Sequence, residues 1–446
     1  MAPHARFRLR TPDDLGGEAR RLGLDIPYRD DLSGLLGKSS IGGRGVPNRL
    51  AVLPMEGADG EPSGAPSEWT RRRYRRYASG GAGLIWCEAA AVRRDGLSNP
   101  CQLLLTEETL GGFARLVDEI RSAAGKEWGP GHNPLVILQL THSGRFAKPE
   151  GRPRPLIVQN NPHLAPLHDL PPDTPVVSDD ELAGIRDDFV EAADLAASAG
   201  FDGVDIKACH GYLVSETLAA HSREDSRYGG PFENRSRLLL EIVRQIREEA
   251  PGLLVTSRLS ATDAVPFPYG FGMDRDEPGR IDLTETKALV RLLARAGVGF
   301  LALSLGIPAW KPHFGRPFDE PVPGSKVPGE HPLEGVARHL GVATEIQRSS
   351  PGVAVIGAGY SWLRTLGPGV GAAIVADGRS AAFGLGRGAL AYPDFAADLL
   401  RRGRLSPRKV CTTCSLCSLL LRRQRRVGCV IRDPEFKNAA GKGSEA

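Results

Sequence analysis

Four of the seven cysteines fall in one stretch of nineteen residues, CTTCSLCSLLLRRQRRVGC. Cys411, Cys414 and Cys417 are each separated by two residues, and Cys429 follows after eleven more. Four thiolates at this spacing fit a tetrahedral zinc site or an iron–sulfur cluster, and spacing alone keeps both open. A second concentration is DIKACHGYLVSETLAAHSREDSRYGGPFENRSR, which carries Lys207, His210, Tyr212, Arg223, Asp225, Tyr228, Glu233 and Arg235. There Lys207 and His210 are able to donate hydrogen bonds to a developing anion, and Tyr212 is able to supply a proton. A satisfied polar loop explains any one of these residues alone; their density argues for a pocket. Asp225, Glu233 and Arg235 are expected to form an ionic network that fixes the long loop.

Such side chains converge only if the elements beneath them do. Short aliphatic and β-branched runs recur along the chain: RLAVLPM from Arg49, LIWCEA from Leu84, LVILQL from Leu135 and GVDIK from Gly203. LLVTSRLS from Leu253, GFLALSL from Gly299, VAVIG from Val353 and AAFGLG from Ala381 complete eight. Each is too short for an ordinary helix and nearly continuous in hydrophobicity, as in parallel strands covered on both faces. Helical patterns lie between them. After SDDE, Leu182, Ile185, Phe189, Ala192, Leu195 and Ala196 share one face, and Leu239, Ile242, Val243 and Ile246 form another stripe. Eight strands alternating with helices predict an α/β fold, a closed (β/α)8 TIM barrel with active groups at the carboxyl ends of its strands. An open doubly wound sheet is the second choice.

The expected division is an N-terminal extension over residues 1–40, the barrel over 41–403 and a cysteine-rich, cluster-binding tail over 404–446. Residues 61–66 and 148–175 read as long loops. With 41% apolar and 25% charged residues and a formal net charge of +4, the 446-residue chain has an ordinary folded composition. That charge makes no case for a nucleic-acid or membrane partner. No apolar leader or spanning segment is present, so the expected location is the cytoplasm, where clustered cysteines speak for metal or redox chemistry rather than disulfides. Cys87, Cys101 and Cys209 read as free core or loop thiols.

The central block resembles the flavin oxidoreductases of the old yellow enzyme family, in which a polar pair precedes Gly-Tyr-Leu and a later YGG…ENR segment. NRLAVLPM, GLIWCEA, LQLTHSGR, SRLSATD and GLGRGALAYPDF extend the resemblance over roughly residues 48 to 400. It implies a TIM barrel holding FMN, with the Pro54-Met55 backbone and Ala89 at the cofactor, Gln139 on its pyrimidine edge and Arg258 near its N1 side. An arginine there stabilises the charge of reduced flavin. Gly357, Ala358 and Gly359 after the seventh strand, with Gly386 and Arg387 after the eighth, match the usual barrel phosphate site. Two positions depart from the family. Lys207 replaces the first His of the substrate-binding pair; it either binds a substrate anion or ion-pairs with Glu56 or Glu88. Glu56 stands where relatives often place Thr or Cys beside the flavin, or else turns away toward solvent. His142 and Arg145 are expected at the pocket mouth, with loop anchoring as the alternative for Arg145. Trp310, His313 and Phe314 read as a lid or as an aromatic packing patch.

The tail resembles the cluster segment of the trimethylamine dehydrogenase and 2,4-dienoyl-CoA reductase branch, differing by about one residue of spacing. This implies a [4Fe-4S] cluster on Cys411, Cys414, Cys417 and Cys429, with a zinc knuckle as the alternative. Arg422, Arg423, Arg425 and Arg426 read either as a solvated helix or as a dock for an acidic carrier such as ferredoxin or flavodoxin. With the chain ending at Ala446, electrons are expected from NAD(P)H at FMN or from a separate protein. The expected activity is ene or enoyl reduction. Amine dehydrogenation and a zinc-stabilised non-catalytic interaction protein are the alternatives, and homo-oligomerisation stays open.

Overall fold

The computed structural model describes residues 3–171 and 173–439; residues 1–2 and 440–446, the outer ends of the expected extension and tail, and Pro172 of the proline-rich loop lie outside them. Eight parallel strands close a barrel. They are β1 (Leu50–Val52), β2 (Leu84–Ala91), β3 (Leu135–Thr141), β4 (Gly203–Ile206), β5 (Leu254–Thr262), β6 (Phe300–Leu305), β7 (Ala354–Gly357) and β8 (Ala382–Leu385). β1 pairs in parallel with both β2 and β8, which closes the ring. All eight apolar runs become strands, so the sheet is closed rather than open.

Eight helices cover the barrel: α1 (Glu68–Ser79), α2 (Leu110–Trp128), α3 (Asp179–Ser198), α4 (Arg237–Glu249), α5 (Thr284–Arg295), α6 (Pro332–Ser349), α7 (Gly367–Ala376) and α8 (Phe395–Arg402). The Ser178 hydroxyl caps α3 by accepting from the Glu181 N–H at 3.1 Å, and Leu182, Ile185, Phe189, Ala192 and Ala196 are buried. Leu195, expected on the same stripe, is only half-buried. Leu239, Ile242, Val243 and Ile246 of α4 are buried as their spacing requires. Inside the barrel, Trp86 meets the Phe300 ring edge-on at 5.6 Å within a compact aliphatic cluster. A hairpin (Ser39–Ile41 and Arg44–Val46) plugs the amino-terminal end by adding Ile41 and Val46 to this cluster. Its Gly42, at φ +56°, faces the Phe300 ring, and a Cβ there would come within 2.4 Å of it.

The described parts of both terminal segments pack on the barrel. Leu15 and Ala19 of the helix Pro12–Leu22 join the main core, and Phe7 meets Trp362 edge-on at 5.0 Å. The tail lies across the carboxyl end and forms α9 (Leu416–Arg422). Asp433 accepts from Arg72 of α1 at 2.9 and 3.0 Å and from Arg76 at 2.5 Å. Phe436 meets Trp69 edge-on at 5.8 Å, and the Val427 N–H donates to the Gly57 carbonyl at 2.7 Å. With Gln424 Nε2 donating to the Gly151 carbonyl at 2.8 Å and Ser415 Oγ to the Glu320 carbonyl at 2.7 Å, these contacts put the cysteine segment over the loops that follow β1, β3 and β6.

Candidate active site

The carboxyl ends of the strands surround a cavity of about 300 Å³. Its floor rests on Asp205 of β4, a fully buried carboxylate. One oxygen accepts from Trp86 Nε1 at 2.8 Å and Gln139 Nε2 at 2.5 Å; the other accepts from the Arg258 backbone N–H at 2.5 Å. An ionised carboxylate only accepts, so the Gln139 amide nitrogen is directed to Asp205 and its carbonyl oxygen is what remains to offer. Burial pushes the Asp205 carboxyl up to about 6, against the pull of these three donors and of the Arg258 charge. Arg258 in turn donates from Nη1 to the Pro54 carbonyl at 2.9 Å, joining the middle of β5 to the turn after β1.

Glu56, the residue after that turn's Pro54-Met55, does not face solvent. Its side chain is 9% exposed and points into the cavity, where one oxygen accepts from the Tyr212 hydroxyl at 3.1 Å and pairs with Lys207 Nζ at 3.4 Å. Ser98 Oγ donates to the other oxygen at 3.3 Å, and Lys207 Nζ lies 3.6 Å from the centre of the Tyr212 ring. Of the two partners considered for Lys207, Glu56 is the one it meets. Glu88 is buried against Arg73 and accepts from the Gly57 N–H at 2.5 Å. Burial, followed by the Glu56 carboxylate, holds the Tyr212 hydroxyl well above its ordinary range, so it is a proton donor rather than a phenolate at neutral pH. His210 stands beside it at φ +68°, with Nε2 2.8 Å from Ser304 Oγ. Burial first, then Arg258, Lys207 and Arg316, keeps its imidazole well below the usual range and therefore neutral.

Ala358, Gly359, Gly386 and Arg387 also line the cavity. Arg387 donates from Nη2 to the Pro317 carbonyl at 2.7 Å, while its buried Nη1 has no hydrogen-bond partner. Arg316 contacts Ser418 of α9 through Nη1, and its Nε is likewise buried without a partner. Burial, then Arg387, lowers the Arg316 guanidinium to about 10, with Cys417 opposing the shift and Arg422 adding to it. Electrostatic interactions connect Cys411 with Arg387, Cys417 and Cys429, and Cys429 with Cys414 and Cys417, so the four tail thiols neighbour one another beside the cavity wall. All four are free, and among the described residues no three His, Cys, Asp or Glu side chains are grouped closely enough to hold one metal ion.

Most residues singled out by sequence therefore meet in one cavity, and the exceptions have physical causes. Ala89 is buried within β2 with its carbonyl accepting from Gln102 Nε2 at 3.1 Å, and Gly357 ends β7 packed against Tyr360, Ser380 and Ala382; neither lines the cavity. Arg145 is buried on Glu216 and the Gln159 carbonyl and so anchors a loop, while buried His142 lies 3.5 Å from Asp95. Asp225 and Glu233 are exposed; only Arg235 of that expected network is buried, and its carboxylate partner is Glu285 at 2.6 Å. The loop after β6 does line the cavity, but through Pro308, Ala309 and residues 315–317. Trp310 instead meets the His163 ring at 5.7 Å, and His313 meets the Phe314 ring edge-on at 5.3 Å under Arg338, so these residues form aromatic packing contacts outside the cavity lining. Sequence reading overlooked Ser98, Ser304, Arg316, His339 and the cavity-facing side of α9. Ser98 and Arg316 come from loops without a motif, Ser304 from the end of β6 and His339 from α6, and only α9's closeness to the cysteines pointed toward the site.

Comparison with known proteins agrees with this arrangement. Residues 40–273, just over half of the chain, match the model of the NADH:flavin oxidoreductase / NADH oxidase family. An NADH oxidase from Thermoanaerobacter brockii is 28% identical over 390 residues, covering 86% of this chain and 53% of its own length. An NADPH dehydrogenase from Bacillus pumilus is 34% identical over 226 residues, covering 48% of this chain and 60% of its own. The chain thus spans between half and two thirds of the length of these curated relatives. Among solved structures, a 2-naphthoyl-CoA reductase complex superposes with a TM-score of 0.71 at 20% identity, covering 92% of this chain and 58% of the other. Histamine dehydrogenase from Rhizobium sp. 4-9 gives 0.68 at 21%, covering 91% and 53%, and these two likenesses speak for the fold. With a closed barrel, the matched family model and its motif residues gathered at the strand ends, the chain belongs to the NADH:flavin oxidoreductase / NADH oxidase family, the old yellow enzyme family of FMN-dependent oxidoreductases.

Proposed function

We propose that this protein is an FMN-dependent oxidoreductase with a [4Fe-4S] cluster in its tail, and that it reduces an activated C=C bond of a small or acyl substrate. The observation that carries the reading is one cavity lined together by Gln139, Arg258, Arg387, Lys207, His210 and Tyr212. The residues fit the flavin. Gln139 has its carbonyl oxygen left to accept from a pyrimidine N–H, and the Arg258 and Arg387 guanidinium groups each keep a buried N–H without a partner. Glycine backbone at Gly359 and Gly386 allows close approach of a phosphate. When bound, FMN supplies hydride transfer and one-electron exchange, with NAD(P)H as the proposed donor.

The chain's own residues then divide the remaining work. His210, neutral and steadied by Ser304, donates a hydrogen bond to a substrate oxygen, and Lys207 adds positive charge on the same side. Tyr212 holds the transferable proton on its hydroxyl. Glu56 orients both neighbours by accepting from Tyr212 and pairing with Lys207. Cys411, Cys414, Cys417 and Cys429 are the proposed cluster ligands. A cluster beside FMN exchanges single electrons with it, which zinc cannot do, and this favours the cluster over a zinc knuckle for four thiols that neighbour one another. Exposed Arg423 and Arg426 beside these cysteines suit an acidic one-electron carrier. Among the described residues no helix is long and apolar enough to cross a membrane.

Glu56 also supports a second reading. A carboxylate in the reaction cavity is able to take a proton from a substrate ammonium, as amine oxidation requires. Anaerobic purification with an absorption spectrum tests the cofactors: flavin bands with a broad iron–sulfur shoulder are expected, and colourless protein holding zinc would reject both redox readings. Turnover of an enone with NAD(P)H, set against an amine with an artificial acceptor, separates reductase from dehydrogenase.

A further inference from the structure

Six lysines and arginines line the cavity against a single carboxylate, Glu56. Lys207 is paired with it, and Arg258 and Arg387 face the proposed flavin. That leaves Lys148, Arg316 and Arg422. These come from three separate segments, the loop after β3, the loop after β6 and the end of α9, yet they are tied to one rim. Gln424 Nε2 donates to the Gly151 carbonyl at 2.8 Å, and the Gly151 N–H donates to the Lys148 carbonyl at 3.0 Å, which draws the end of the tail helix to the Lys148 turn. Arg316 reaches the same helix at Ser418, and Arg422 Nη1 donates to Ser325 Oγ at 3.1 Å. The side-chain partners of both arginines are neutral hydroxyls, and among the described residues none of the three cations forms an ion pair. One Arg316 nitrogen, Nε, is buried without any partner. A dianionic flavin phosphate at Arg387 offsets only part of this excess positive charge, and low-dielectric walls focus what remains toward the opening.

We propose that Lys148, Arg316 and Arg422 form a cationic collar that binds a phosphoester anion on the second ligand of this cavity. The inference rests on the reading of the cavity as a flavin site and deepens it by giving the chemical class of what enters above the flavin. Two sources share that chemistry: the diphosphate of a nicotinamide dinucleotide donor, and the phosphates of a nucleotide-linked acyl substrate. Guanidinium groups recognise such oxygens in a bidentate way, which a lysine at Arg422 would reproduce only in charge. The tail therefore has a binding role beside its proposed ligation of iron, because α9 contributes Arg422 and holds Arg316.

The test uses the flavin-loaded, full-length protein. Dissociation constants for NAD⁺ and, separately, for coenzyme A are measured by calorimetry in the wild type and in Lys148→Ala, Arg422→Ala and Arg422→Lys. Unchanged flavin absorption and melting temperature serve as the folding control. The expected result is that each alanine variant binds at least one of the two ligands roughly ten-fold or more weakly, with Arg422→Lys intermediate. Weakening for NAD⁺ alone assigns the collar to the donor, weakening for coenzyme A alone assigns it to the substrate, and weakening for both means that the two share it. Wild-type protein that binds neither ligand, or variants that bind both as the wild type does, would overturn the proposal. Turnover of a neutral enone by the wild type is assayed separately. Its absence, together with weakened variant binding, would remove the proposed reaction and leave the collar standing. Its presence with unaltered binding would remove only the collar.

Discussion

The floor and the rim of the cavity are built on opposite plans. On the floor, one buried carboxylate, Asp205, fixes Trp86, Gln139 and the Arg258 backbone through three hydrogen bonds that span four consecutive strands. Around the rim, Lys148, Arg316 and Arg422 project from two loops and a tail helix, with serine hydroxyls and backbone carbonyls as the points of attachment. Strand register leaves the floor no freedom, and an acceptor-only group dictates which way a neighbouring amide must turn. The rim has net charge but little enforced geometry. A cofactor that stays through every turnover profits from the first plan, and ligands that come and go are accommodated by the second.

This contrast is open to experiment. The largest effect is expected in the tail: Cys414→Ala should lose most of the iron bound after anaerobic reconstitution, and full iron retention by elemental analysis would remove it from the proposed ligand set. Next, Asp205→Ala strands three buried N–H donors and should destabilise the fold by ~3–5 kcal/mol in denaturant titrations, while Arg422→Ala at the rim stays within about 0.5 kcal/mol of wild type. Similar losses at the two sites would erase the distinction drawn here. Tyr212→Phe should slow the oxidative half-reaction about a hundred-fold in stopped-flow experiments while FMN stays bound, because the ring remains and only the proton is removed. An unchanged rate would take Tyr212 out of the mechanism.

The smallest effect is a pH dependence of stability. Burial pushes the carboxyls of Asp205 up to about 6 and Asp263 up to about 7. Their folded-state values lie above the unfolded ones, so the folded chain binds these protons more tightly. Stability should therefore fall, by ~1–3 kcal/mol per group, as pH rises from about 4 to about 7. Chemical denaturation at pH 5 and pH 7.5 reads this change, and Asp263→Asn should flatten it. A slope of the opposite sign in wild type would show that other groups dominate.

Much of the barrel was legible because its strands have to be apolar on both faces, which left eight short runs that no surface segment imitates. The stripes of α3 and α4 were equally plain. Site residues were legible where a motif confines them, as for Lys207, His210 and Tyr212 in one block, or where a family position does, as for Gln139 and Arg258. Arg316 and Ser98 lacked such a frame, since a loop's path after β6 or β2 follows from packing and not from periodicity. The same limit explains Asp225 and Glu233: charge near Arg235 in sequence is no guide to which carboxylate comes from another helix, and Glu285 of α5 is the one that reaches it.

Glu56 draws the boundary most sharply. Its place after Pro54-Met55 and the unusual Lys207 were both evident from the order of residues alone, as were the four cysteines and the eightfold alternation. Whether the Glu56 carboxylate met solvent, and whether Lys207 met Glu56 or Glu88, depended on how strands from distant parts of the chain align. Glu56 and Lys207 are 151 positions apart, and the barrel's closure brings them to 3.4 Å. Residue type and local spacing encode what chemistry is available; long-range strand register decides which charges share a cavity, because that register is set by burial of the whole core and not by any one segment.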